Sequence, residues 1–236
     1  MNFQNKTAII TGGTGALGSV VAARFFDAGA RICVPTFANS QGSLPERIVR
    51  SSEKCLLRKA DLSKESDVKE FVSAVVEKFG TIDILANIAG GYAGGNAIAD
   101  TPIGQWESMM DMNLKSAFLM SREVLKPMMA ARAGRIVNIA AMPAFTSGAK
   151  KGAYAISKRG VAALTEILAD ETKGTGVTVN AIAPSIILTE DNKRSMPDAD
   201  FEKWVPPDEI ADLILFLCSE HGRSISGNVI KVFGGV

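Results

Sequence analysis

Gly13, Gly15 and Gly18 stand directly after the β-branched run Thr7–Thr11 and open an amphipathic stretch, Leu17–Ala28. A Gly-x-Gly-x-x-Gly spacing between a strand and a helix commits this end of the chain to a βαβ unit. The chemistry behind the spacing is close approach. A turn without Cβ atoms can lie against a pyrophosphate, and the following helix turns its positive N-terminal end to the same group. On this reading Gly12, Gly13, Thr14, Gly15, Ala16, Leu17 and Gly18 form the cradle of a dinucleotide.

Beyond the cradle, short β-branched runs keep alternating with amphipathic stretches. Strands are predicted at Thr7–Thr11, Arg31–Val34, Cys55–Lys59, Ile82–Ala86, Arg135–Ile139, Val177–Ile182 and Asn228–Phe233. Helices are predicted at Leu17–Ala28, Lys64–Phe79, Ile103–Arg132, Gly152–Thr172 and Pro207–Ser219, with Ser63 as N-cap of the second. Gly29, Gly80, Gly134 and Gly174 mark helix ends, where a left-handed cap is common. Such alternation predicts an α/β fold: one doubly wound, Rossmann-type domain over residues 1–236, a parallel sheet of about seven strands with helices on both faces. A chain of 236 residues with 47% hydrophobic residues is long and apolar enough to bury that core.

Lys158 follows Tyr154 by one helical turn, in Gly152-Ala-Tyr-Ala-Ile-Ser-Lys158. An ammonium beside a phenol favours the phenolate, so the spacing predicts a lowered Tyr154 pKa and a group able to move a proton near neutral pH. Other chemistries are disfavoured. His221 is the only histidine, which excludes a histidine-rich metal site and leaves the metal assignment at none. Cys33, Cys55 and Cys218 are isolated and read as small core residues in a reducing compartment. Twenty-six basic against 25 acidic residues give a net charge of +1, so no nucleic acid or membrane surface is expected as partner. Without a signal-like start or an apolar run of about 18 residues, the chain reads as cytoplasmic.

Read in order, these residues resemble the short-chain dehydrogenase/reductase family over essentially the whole chain. Thr11-Gly12-x-x-x-Ala16-x-Gly18 is similar to its glycine motif, with Ala16 in place of the middle glycine. Asp61-Leu62 resembles the pair that contacts adenine, and Asn87-Ile-Ala89-Gly90 its Asn-Asn-Ala-Gly. Pro184-Ser185 through Ile187 and Thr189 resembles the segment that holds the nicotinamide amide. The resemblance implies NAD or NADP as cofactor, a small-molecule substrate and a homodimer or homotetramer. It makes Tyr154 and Lys158 catalytic, gives Lys158 a second contact to the cofactor, and gives Asn113 a part in a proton relay. Thr36 stands where an acid would bind the ribose 2′-hydroxyl, which removes the usual bar to a 2′-phosphate and favours NADP slightly. No Arg or Lys at 36–41 attracts that phosphate.

Ala141 is the departure that matters most. It lies thirteen residues before Tyr154, where the family carries a serine that hydrogen-bonds the substrate oxygen. Losing such a donor typically costs about 2.7–4 kcal/mol in the transition state. Thr146 and Ser147 are the nearby hydroxyls that could substitute for it. Within the family, Gly90-Gly-Tyr92-Ala-Gly-Gly-Asn-Ala97 and Lys193-Arg-Ser-Met-Pro-Asp-Ala-Asp-Phe201 resemble the dihydropteridine reductase branch, which also lacks the serine. That resemblance implies hydride transfer to a quinonoid dihydropterin, with Tyr92, Ala141, Met142 and Tyr154 at the substrate and Tyr92 stacked on its ring. The alternatives are a reductase of another carbonyl or imine and a catalytically silent cofactor-binding homologue.

Overall fold

The computed structural model describes residues 1–37, 44–146 and 148–236. Seven strands form one fully parallel sheet: β1 (Thr7–Thr11), β2 (Arg31–Thr36), β3 (Cys55–Lys59), β4 (Ile84–Asn87), β5 (Gly134–Ile139), β6 (Val177–Pro184) and β7 (Val229–Val232), in the order β3-β2-β1-β4-β5-β6-β7. Helices α1 (Ala16–Asp27), α2 (Glu46–Val49), α3 (Glu65–Phe79), α4 (Ile103–Met109), α5 (Ser116–Ala131), α6 (Gly152–Glu171), α7 (Glu190–Ser195) and α8 (Pro207–Cys218) connect them. Among the described residues, no helix is long and apolar enough to cross a membrane.

Both faces of the sheet are covered, which is why the central strands read as unbroken apolar runs. Successive β1 residues face opposite layers. Ile10 packs with Val21 and Phe25 of α1 and Ile210 and Ile214 of α8, whereas Ile9 packs with Phe71 of α3 and Met120 and Val124 of α5. The strand order reverses between β1 and β4, whose last residues Thr11 and Asn87 are paired. Thr11 Oγ1 accepts the amides of Ile88 and Ala89, both at 3.0 Å, so β4 leaves the sheet tied to the glycine turn. A crevice at such a reversal is where ligands bind in open α/β sheets.

Several boundaries differ from the sequence reading, each for a local reason. Strand β2 runs on through Pro35, which is tolerated because β1 pairs only as far as Cys33, beyond which the missing N–H has no β1 partner. Ser63 does not cap α3; its hydroxyl donates to Asp61 and Lys64 holds the N-cap position. Gly134 is no helix cap either, because Arg132 takes the left-handed position at φ 52° and Gly134 starts β5. The helix predicted over Ile103–Arg132 is interrupted by a π-helical stretch at Met110–Lys115. The short helices α2 and α7 escaped the periodicity, since four and six residues span too few turns to show one.

Candidate active site

A cleft of about 1240 Å³ opens at the C-terminal ends of the strands. At one end it is floored by the glycine turn. Gly12 has φ +65° and lies so close to β4 that a Cβ would sit 2.9 Å from the Ala89 backbone. A Cβ on Gly18 would meet the Gly12 carbonyl oxygen at 2.0 Å, so only glycine lets α1 start this near the turn. Gly15 holds the N-cap of α1, where no side chain caps the helix and no acid stands in the first turn. The open amides of that turn suit an anion, so this cradle fits a pyrophosphate. Gly12, Thr14, Gly15, Ala16, Leu17 and Gly18 all line the cleft. Gly13 does not: it is packed against Val34, 2.7 Å from where a Cβ would lie.

Asp61 and Leu62, which the resemblance assigns to adenine, line the cleft. Hydrogen bonds from the Ser63 hydroxyl (2.7 Å) and amide (3.0 Å) hold the Asp61 carboxyl below its ordinary pKa, so it is a carboxylate. Thr36 is 3% exposed and absent from the cleft wall, which Pro35 and Phe37 form at that point. Positions 38–41, where a basic residue was sought, lie outside the described residues.

Past the switch point, Ala89 and Gly90 line the cleft but Asn87 does not. The Asn87 side chain turns into the sheet, donating to Asn138 Oδ1 at 2.8 Å and Ser121 Oγ at 3.1 Å, while Asn138 donates to Thr165. Asn113 is also absent from the cleft wall. The π-turn points it inward, where its amide grips both Gly91 backbone groups and donates to Ser157 Oγ at 3.1 Å. Its side chain is thus a clamp on the Gly90–Gly91 loop rather than a group facing the cleft. A Cβ added at Gly90 would lie 2.6 Å from Asn113 Oδ1 and 3.2 Å from Lys158 Nζ, so clamp and lysine meet at this glycine.

Tyr154 and Lys158, both on α6, reach the cleft together. The expected effect of the lysine on the phenol is reversed in this structure. Burial, with Tyr92 adding to it, pushes the Tyr154 phenol up to about 12, and burial pulls the Lys158 ammonium down to about 8. The ammonium instead donates to the Ile139 carbonyl at 2.7 Å, an anchor that no side-chain motif could have signalled. Tyr154 is therefore a protonated donor over the neutral range. Tyr92 packs edge-on against it, with ring centroids 5.0 Å apart and planes at 84°. Ala141 and Met142 border the same end, and Ala141, two residues past β5, is 4% exposed. Thr146 Oγ1 donates to Met142 O and does not line the cleft, and Ser147 lies outside the described residues. The far wall is built by Pro184, Ile187 and Thr189; Thr189 caps α7 by accepting the Asn192 amide. Sequence reasoning missed Lys151 and Met112 on the wall, since single residues outside any motif carry no signal, and it assigned no site role to Met196 inside the 193–201 segment.

A glycine cradle at the sheet reversal and a tyrosine–lysine pair farther along one cleft define a nicotinamide-dinucleotide oxidoreductase. The family model for short chain dehydrogenase matches residues 6–200. D-beta-hydroxybutyrate dehydrogenase of Cupriavidus necator is 32% identical over 99% of this chain and 98% of its own length. NAD-dependent glycerol dehydrogenase of Listeria innocua is 30% identical over 99% of this chain and 94% of its own. Among solved structures, levodione reductase has a TM-score of 0.90 at 28% identity, covering 99% of this chain and 98% of that one. The chain belongs to the short-chain dehydrogenase/reductase family and is an NAD(P)-dependent oxidoreductase. These relatives do not place it in the dihydropteridine reductase branch.

Proposed function

We propose that this protein is a reductase of electron-poor conjugated acceptors, of which a quinonoid dihydropterin is the type, with NADPH as hydride source and NADH as the alternative. The observation that carries this is Ala141: a methyl group, buried at the cleft wall, stands where an oxyanion donor would. A ketone accepting hydride develops charge on one oxygen and depends on such a donor. A conjugated imine-like ring spreads that charge over several atoms and depends on it less. In this reading the bound nicotinamide supplies the hydride. Tyr154, held protonated by burial, gives the proton to the acceptor atom. Lys158 holds the cofactor ribose and balances the charge left on the phenol, and Asn113 keeps the Gly90–Gly91 loop against the lysine. Tyr92 walls the ring site through its edge contact to Tyr154.

The lean to NADP rests on the wall formed by Pro35 and Phe37, which sets no carboxylate from the end of β2 against a 2′-phosphate. Three buried free cysteines fit a cytoplasmic setting, and the exposed Phe118, Ile156 and Ile167 on α5 and α6 fit a homodimer or homotetramer. The relatives' names favour a second reading, reduction of an ordinary ketone. The test follows NADPH and NADH oxidation by purified protein with quinonoid dihydropterin and with a panel of ketones. Turnover of the pterin at least tenfold above any ketone, and its loss in Tyr154→Phe, is expected. Ketone turnover without pterin turnover overturns the proposal in favour of the second reading.

A further inference from the structure

The charges along the cleft are not distributed evenly. Asp61 is occupied by Ser63 and by Lys64 at 3.4 Å, Asp111 by Lys115 at 3.1 Å, and Lys158 by the Ile139 carbonyl. Lys151 also lines the cleft, at the substrate end, yet forms no ion pair or side-chain hydrogen bond with a described residue. It holds the N-cap position of α6, three residues before Tyr154. The backbone beneath it is fixed from two sides. The Lys150 carbonyl accepts the Gly95 amide at 2.8 Å, and Gly152 is packed so closely on Ile98 that a Cβ would lie 2.1 Å from its Cδ1. The ammonium thus reaches the cleft from a fixed stretch of backbone, in a lining that also includes Met112, Met142 and Met196.

We propose that Lys151 is a specificity-determining residue of this cleft, and that the molecule reduced there carries a carboxylate that Lys151 holds while the acceptor atom faces Tyr154. One ammonium balances one unit of charge, which suits a carboxylate better than a doubly charged phosphate. The methionines adapt to the apolar body that such a substrate also needs. The inference rests on the reading of this cleft as the reductase site, and it adds a substrate class to that reading.

The test compares matched ligands that differ by the charge. Kinetics with NADPH or NADH use acetoacetate against methyl acetoacetate. Calorimetry on the protein saturated with oxidised cofactor uses pterin-6-carboxylate against 6-methylpterin, and benzoate against benzamide, so a result does not depend on turnover. The wild type is expected to prefer the anionic member of a pair by about tenfold or more. Lys151→Met abolishes that preference, Lys151→Arg keeps most of it, and added salt erodes it in the wild type. A wild type without the preference in every pair, or a Lys151→Met variant that retains it, overturns the inference. Carboxylate preference without turnover of quinonoid dihydropterin leaves Lys151 assigned and removes the pterin reading. Pterin turnover without carboxylate preference does the reverse.

Discussion

Lys158 is the residue whose burial has the clearest consequence. The residue is 5% exposed, and its pKa falls from an ordinary 10.5 to about 8 because burial disfavours the charged form. The sign follows from proton counting. Between pH 8 and 10.5 the unfolded chain binds more protons at this site, so wild-type stability gains from Lys158 as pH rises through that window, by up to roughly 3 kcal/mol. Lys158→Met loses the lysine and that gain with it. The difference in melting temperature, variant minus wild type, should therefore fall between pH 8 and 10.5, while turnover drops and cofactor Kd rises at pH 7. A flat difference across the window contradicts the burial argument. Cofactor choice is also a residue-scale matter. Phe37 is 66% exposed on the cleft wall, so Phe37→Asp sets a carboxylate toward the cofactor without burying it. Repulsion of about 1 kcal/mol shifts the preference toward NADH by roughly fivefold. Thr36→Asp puts its charge at a position only 3% exposed and off the cleft wall, so it lowers the melting temperature and gives a smaller shift than Phe37→Asp. Thr36 and Phe37 also show where sequence reading runs out. A motif counts positions along a strand, but which of two neighbours faces a ligand depends on where the pleat ends, and that is set by pairing with β1 and β3.

At the scale of elements, the glycine turn and α1 act as one piece. Gly18→Ala would drive a methyl into the Gly12 carbonyl, from a Cβ position only 2.0 Å away, so α1 must shift from the turn. Cofactor affinity should fall by at least tenfold, measured by fluorescence titration with NADPH, and the melting temperature should fall with it. Gly80→Ala is the control, because no atom stands within 4 Å of its added Cβ, although its φ of 76° costs about 1–2 kcal/mol of stability. It should lower stability but leave cofactor affinity alone; equal affinity losses in both variants would contradict the close-approach argument. The β1–turn–α1 unit was legible because glycines at fixed spacing leave a mark in sequence. The break at Met110–Lys115 was not, because a π-turn keeps helical periodicity nearly intact while rotating one residue, Asn113, toward Gly91.

Across the whole molecule, the strand order and the two apolar layers follow from alternation and from residue pairs such as Ile9 and Ile10, which is why the fold class was readable from sequence. The tyrosine–lysine pair was readable as well, but its electrostatics were not. They depend first on burial of both groups, and then on Tyr92, brought to Tyr154 from a loop 62 residues earlier. The same convergence puts Ala141 at the cleft wall with Tyr154, and the proposed substrate class depends on that methyl group. The most direct measurement is the ratio of quinonoid dihydropterin to ketone turnover in wild type and in Ala141→Ser. Restoring a hydroxyl there is predicted to leave pterin reduction within a few-fold and to raise ketone reduction by about tenfold or more. A parent with no pterin activity, whose Ala141→Ser variant gains strongly on ketones, would contradict the account.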